Sequence, residues 1–272
     1  MLLSSVILVL QETLEAAMLI SVLMAVSHQA RRRISWLPWG LCGGAILASF
    51  YSINMQTVSE WFDYVGQEVV NALLQTIISM TVILLFWTVF RTRTAAGPAQ
   101  QPVKRRHVSL FQLCAALAVT LTITREGSEI LVYLAGFFQQ SDDFHAILTG
   151  SAIGFSIGVS VSFLLFYGLM SLPRHWGFTV CVLFMSLFAG NMLSQATLLL
   201  TQADWLPSSP ALWDTSAWLP ENTLSGQLLY AFIGYEATPS WIQFVSYLAG
   251  TAMLLAVAIK ANYWANRSQF ST

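Results

Sequence analysis

Charge is scarce in this chain: 12 Lys and Arg and 13 Asp and Glu amount to 9% of 272 residues, with a net charge of −1 at pH 7. Cysteine is scarcer still. Cys42, Cys114 and Cys181 stand singly within apolar segments, so neither a disulfide framework nor a thiolate metal site is expected. No G-x-x-x-x-G-K-[ST] stretch occurs, which excludes nucleotide hydrolysis by a phosphate loop. No basic residue precedes the first apolar run and Glu12 and Glu15 interrupt it, so residues 1–26 read as a retained helix rather than a cleaved signal peptide. No nucleic-acid partner and no tightly bound cofactor are expected.

What fills the space is apolar: 56% of the residues are hydrophobic, with 10 Trp and 17 Phe, a composition far from that of a soluble domain. Apolar stretches of about 20 residues recur near positions 14, 45, 78, 123, 158, 189 and 250. The expected fold is therefore an all-α integral membrane protein of about seven transmembrane helices. Eleven of the 12 basic residues fall at alternate span ends: Arg31, Arg32, Arg33, Arg91, Arg93, Lys104, Arg105, Arg106, Arg174, Lys260 and Arg267. Glu60, Asp63, Glu68, Asp142, Asp143, Asp204, Asp214, Glu221 and Glu236 fall at the opposite ends. The positive-inside rule then puts the amino terminus outside and the carboxyl terminus inside. Tryptophans near both sets of ends match an aromatic belt.

The remaining four of the 13 acids lie where charge is most costly. Glu12 and Glu15 sit in the first apolar run and Glu126 and Glu129 in the fourth, both as E-x-x-E. An ionisable group inside a membrane is a functional-site signal by default, and a spacing of three puts each pair on one helical face. On the fourth helix that face continues as Thr122, Glu126, Glu129, Tyr133 and Gly136, which reads as a lining. The motifs lie three spans apart, on helices one and four, so these two helices run in opposite directions. Residues 1–90 and 108–201 then form two inverted three-helix repeats, as in many secondary transporters. Residues 91–107 form a cytoplasmic linker, 202–239 an external loop, and 240–272 the last helix and tail, all within one permease domain, 1–272. Two antiparallel helices can bring the four carboxylates together as a site for a hard cation preferring oxygen ligands, with Arg125 orienting Glu129 and moderating repulsion.

These residues resemble the oxidase-dependent iron transporters, the high-affinity iron permeases of bacteria and fungi, whose mark is R-E-x-x-E in the first and fourth of seven helices. Arg125-Glu126-Gly127-Ser128-Glu129 matches in full, and Gln11-Glu12-Thr13-Leu14-Glu15 matches except at Gln11, where the family has arginine. Gly234-Tyr235-Glu236-Ala237-Thr238-Pro239 resembles a G-Y-x-E/A-x-P stretch before the last helix of bacterial members. The resemblance implies uptake of iron across the bacterial cytoplasmic (inner) membrane, as ferric iron after external oxidation, with Glu12, Glu15, Glu126 and Glu129 as ligands. It also implies a separate oxidant, namely a periplasmic cupredoxin, a haem peroxidase or a multicopper oxidase. Gln11 replaces a cationic fork by a neutral amide, which leaves open another cargo such as manganese, zinc or lead. An intramembrane acid–base enzyme is a third reading, although no nucleophile stands out.

Further candidates carry plainer alternatives. Glu68, Glu236, Asp142 and Asp143 are placed to draw cations to an outer mouth or are solvated acids. His145 suits an exposed loop. Gly150, Gly154 and Gly158 form a small-residue stripe for close helix packing. Asn191 and Gln195, four apart, suit interhelical hydrogen bonds or a path lining. The basic loops set orientation and can bind anionic lipid, and Leu224 to Tyr235 reads as an amphipathic segment for the membrane interface or an external partner.

Overall fold

The structure, a computed structural model, describes residues 2–30, 32–94, 105–137, 141–221 and 223–269; most of the expected linker 91–107 lies outside them. The described chain is helical. Its elements are α1 (Leu2–Gln29), α2 (Trp36–Ile53), α3 (Met55–Ser59), α4 (Trp61–Tyr64), α5 (Gly66–Thr94), α6 (Arg105–Gly136), α7 (Ser141–Ser171), α8 (Arg174–Gln202), α9 (Leu224–Ile233) and α10 (Trp241–Gln269). Seven are long, and they coincide with the seven apolar stretches of the sequence.

Local chemistry sets the breaks. Pro173 cannot continue α7 and stands at the N-cap of α8, where its missing N–H costs nothing. Asn54 closes α2 by donating Nδ2–H to the Phe50 carbonyl at 2.7 Å. Phe62, Asp63 and Tyr64 all have positive φ, so α4 is a tight turn between α3 and α5 rather than a helical extension.

Among the described residues, six helices are long and apolar enough to cross a membrane: α1, α2, α5, α7, α8 and α10. Sequence reading expected seven. The difference is α6, whose 32 residues suffice in length but whose middle carries Arg125, Glu126 and Glu129, so it lacks the continuous apolar character of the rest. Arg125 and Glu126 are buried in protein, where charge is tolerated only when partnered.

The long helices alternate in direction. Contacts between α1 and α6 form an antiparallel ladder: Ser5 hydroxyl to Tyr133 hydroxyl at 2.9 Å at one end, Arg125 to Glu15 in the middle, and the Arg32 guanidinium over the Phe111 ring at the other. The end holding Arg32 also gathers Phe90 of α5 and Phe178 of α8, whose rings meet at 5.5 Å. Packing is reciprocal as well. The most extensive interfaces are α1 with α7 and α2 with α6, and exchanging α1, α2, α5 for α6, α7, α8 converts one into the other. Glycines serve both. A Cβ on Gly44 of α2 would lie 2.6 Å from Ile123, and one on Gly154 of α7 would lie 2.5 Å from the Val6 carbonyl. Only hydrogen fits where the motif helices approach so closely.

α9 lies with one side against the bundle and the other exposed. It packs against α1 and α8, with Ala231 beside Leu10 and Leu14 near the middle of α1 and Phe232 6.2 Å from Phe184 of α8. Thr223 caps its start through Gly226 N–H. Gly234, at φ 68°, ends it, turning the N–H groups of residues 234 and 235 back onto the Tyr230 and Leu229 carbonyls. The left-handed turn also seats Gly234 against Asn191, 2.9 Å from any Cβ it could carry. The segment Leu224 to Tyr235 thus packs one side on protein, while Leu229 and Ile233 stay exposed on the other. The segment after α9 is pinned by the loop after α8, with Leu212 N–H on the Pro239 carbonyl at 2.8 Å and Thr215 N–H on that of Ala237 at 2.9 Å.

Candidate cation site

α1 and α6 cross with their E-x-x-E faces turned inward, because Gly158 receives Thr13 on one side and Ala48 backs Gly127 on the other. Their carboxylates converge on one guanidinium. Arg125 Nη1 donates to Glu126 Oε1 at 2.8 Å and to Glu15 Oε2 at 3.2 Å, across the helix interface. Its Nε lies 3.5 Å from Glu129 Oε1, the i,i+4 pair expected from spacing. Glu12 lies beside Glu126, within hydrogen-bonding reach. Both helices therefore contribute, as the antiparallel arrangement requires.

The four carboxylates are not equivalent. The side chain of Glu15 is 1% exposed and that of Glu129 30%, because two cavities approach the cluster. One, of about 410 Å³, is lined by Glu68, Gln67, Asn71, Glu129, Tyr133 and Gln202 at the end where the acidic residues collect. The other, of about 740 Å³, runs from Glu12 and Glu126 between α2 and α7 and has largely apolar walls such as Ile20, Leu41 and Phe163. Arg125 and Glu15 line neither.

Oxygens remain unspent. Among the described residues, Glu12 Oε2, Glu15 Oε1, Glu126 Oε2 and Thr122 Oγ1 are buried without a well-aligned hydrogen bond. A buried polar atom left open costs about 1–3 kcal/mol, so this surplus of acceptors is unfavourable without a further cation. With Arg125 spanning three carboxylates, no three His, Cys, Asp or Glu among the described residues form a ready-made metal cage. Arg125 already engages Glu15, Glu126 and Glu129 in this arrangement.

Of the remaining expected residues, Glu68 and Tyr133 line the first cavity and Thr122 is buried near the cluster on α6. Gln11 is half-buried and makes no hydrogen bond or ion pair among the described residues. Glu236 is held elsewhere: both its oxygens accept from Gln243 Nε2 at 2.9 Å. Burial pushes its carboxyl above the usual range, an effect Gln243 opposes. The side chains of Asp142 and Asp143 lie outside the described residues, and His145 is exposed. Sequence reading did not single out Gln75 and Asn71, although a signal existed: Asn71-Ala-Leu-Leu-Gln75 in α5 repeats as Asn191-Met-Leu-Ser-Gln195 in α8.

Over residues 2–269 the chain matches the iron permease FTR1 family. No curated protein and no solved structure matches it.

Proposed function

Because the chain belongs to the iron permease FTR1 family, we propose that it carries iron on Glu12, Glu15, Glu126 and Glu129, taking it as the ferric ion after oxidation outside the membrane. The protein is a multi-pass membrane permease with iron as cargo and is not an enzyme. The observation that supports this route is the meeting of both E-x-x-E pairs, from antiparallel helices, around one buried arginine with carboxylate oxygens left open. Carboxylate oxygen suits a hard, highly charged ion. Four carboxylates and one guanidinium carry a formal −3, the charge that a trivalent ion would neutralise.

The ion's path follows from the two cavities. Glu68 and Glu129 draw it in from the acidic end, since clustered charge raises local counterion concentration. Arg125 then yields Glu129 and Glu126 in turn, so that the cation replaces the guanidinium as their partner, and Glu12 with Glu126 receives it at the second cavity. The guanidinium keeps the empty cluster from standing as four buried unpaired charges. The basic helix ends face the cytoplasm by the positive-inside rule, which puts the cavity at Glu68 outside, in a bacterial inner membrane. The two three-helix halves, 1–90 and 108–201, are the inverted repeats that form the site, with membrane lipid around them. Oxidation belongs to a separate external partner of the cupredoxin, peroxidase or multicopper oxidase kind. Gln11, which stands in place of the family's arginine and has no partner among the described residues, favours a second reading in which another cation, such as manganese, zinc or lead, uses the same carboxylates.

The test is uptake of radiolabelled iron by permease-deficient cells, with and without an external oxidant, comparing wild type with Glu12→Gln, Glu15→Gln, Glu126→Gln and Glu129→Gln. Oxidant-dependent uptake that is lost in the variants is expected. Undiminished transport by all four would refute the carboxylate route, and faster uptake of ferrous iron without oxidant would refute the ferric form.

A further inference from the structure

The Asn-x-x-x-Gln repeat occupies matching places in the two halves. Asn71 and Gln75 lie on α5, the third long helix, and Asn191 and Gln195 on α8, the sixth, just as the two E-x-x-E pairs lie on the first and fourth. α5 and α8 pack together, and the two glutamines meet between them: Gln75 Nε2 donates to Gln195 Oε1 at 2.7 Å. Gln75 is 0% exposed and Gln195 7%. Gln195 in turn adjoins Glu15. A continuous polar face on α5, Glu68, Asn71, Gln75 and Ser79, in steps of three, four and four, leads from the acidic cavity to this point. It stops there, because Ser79 spends its hydroxyl on the Ala189 carbonyl at 2.9 Å.

A glutamine pair that only glued two helices would use its polar atoms. This one does not: among the described residues Gln75 Oε1 is buried without a hydrogen-bond partner, and Gln195 Nε2 is left to face Glu15 beside it. Leaving such buried atoms open is unfavourable. Hard cations of this kind fill a shell of about six oxygens, drawing on amide carbonyls as well as carboxylates. Extra ligands at this cluster must be neutral, since another carboxylate would overshoot the ion's charge.

We propose that Gln75 and Gln195 are the neutral part of the ion site, Gln75 supplying an amide oxygen to the cation and Gln195 orienting Glu15 to receive it. This rests on the carboxylate reading above. The pair sets which ion is accepted, because a ligand set of mixed charge discriminates between trivalent and divalent cations where carboxylates alone favour the higher charge.

The experiment measures uptake of radiolabelled iron into proteoliposomes holding the full chain, with manganese as competitor, for wild type, Gln75→Leu, Gln195→Leu and Glu15→Gln. Losing a group that supports a metal ligand typically weakens metal affinity roughly 10–100-fold. The expected result is a rise of that size in the KM for iron and an altered iron-to-manganese ratio in both Leu variants, with Vmax changing far less. A structural role alone would lower the yield of folded protein and leave KM and the ratio unmoved. Wild-type KM and selectivity in the Leu variants, with Glu15→Gln inactive, would overturn this proposal and leave the carboxylate reading standing. An active Glu15→Gln would instead remove the reading beneath it. Should the Leu variants fold poorly, Gln75→Glu keeps an oxygen but adds a charge: a shifted iron-to-manganese ratio is expected, and an unchanged one overturns the proposal.

Discussion

Arg125 holds together carboxylates from two helices, so its removal and that of Glu15 should not add. In Arg125→Gln, Glu15, Glu126 and Glu129 lose their cation, currently 3.2, 2.8 and 3.5 Å away. Breaking a buried ion pair by removing one partner costs about 3–5 kcal/mol, which for a chain of this size corresponds to a fall in Tm on the order of 10 °C. Glu15→Gln is milder. The guanidinium keeps its shorter bond to Glu126 and its contact with Glu129, and one charged hydrogen bond is worth about 1.5–3 kcal/mol. In the double variant the second substitution removes an interaction already lost, so the combined cost should fall short of the sum by roughly 0.5–3 kcal/mol. Thermal unfolding of the detergent-purified protein, followed by tryptophan fluorescence, measures all four corners. Additivity within about 0.5 kcal/mol would refute the bridge between α1 and α6 and with it the single shared site.

Two other perturbations probe the frame and the altered motif. Gly154→Leu forces a Cβ to within 2.5 Å of the Val6 carbonyl and should cost about 1–3 kcal/mol through overpacking, read as a lower Tm, whereas Gly168→Leu, at a glycine with nothing within 4 Å, should be close to neutral. Gln11→Arg adds a cation on the helix of Glu12 and Glu15, making the formal charge −2; the iron KM should rise, as measured by uptake, and an unchanged KM and metal preference would show that position 11 does not face the ion.

Much of the fold was legible because lipid imposes strong constraints on sequence. A span must be apolar for about 20 residues, so the seven long helices stand where composition put them. The charge pattern implied alternating helices, and the antiparallel ladder of α1 and α6 agrees. The small-residue stripe at Gly150, Gly154 and Gly158 is a close-packing surface against α1. Which side of α9 meets protein was not legible, because an apolar face shows only that something covers it; its seat on α1 and α8 comes with Gly234 fitting against Asn191.

The sequence alone determined the chemistry available: two E-x-x-E pairs, each on one helical face by its spacing of three, carried on helices of opposite direction, with arginine in one motif and glutamine in the other. Spacing acts within a helix. It says nothing of how far a helix is rotated or how closely its neighbour approaches, and those depend on glycines and side chains from distant parts of the chain meeting in space. Only the tertiary structure decided that Arg125 reaches across to Glu15, that Glu129 opens to one cavity while Glu12 and Glu126 face another, and that Gln75 and Gln195 close the gap beside them.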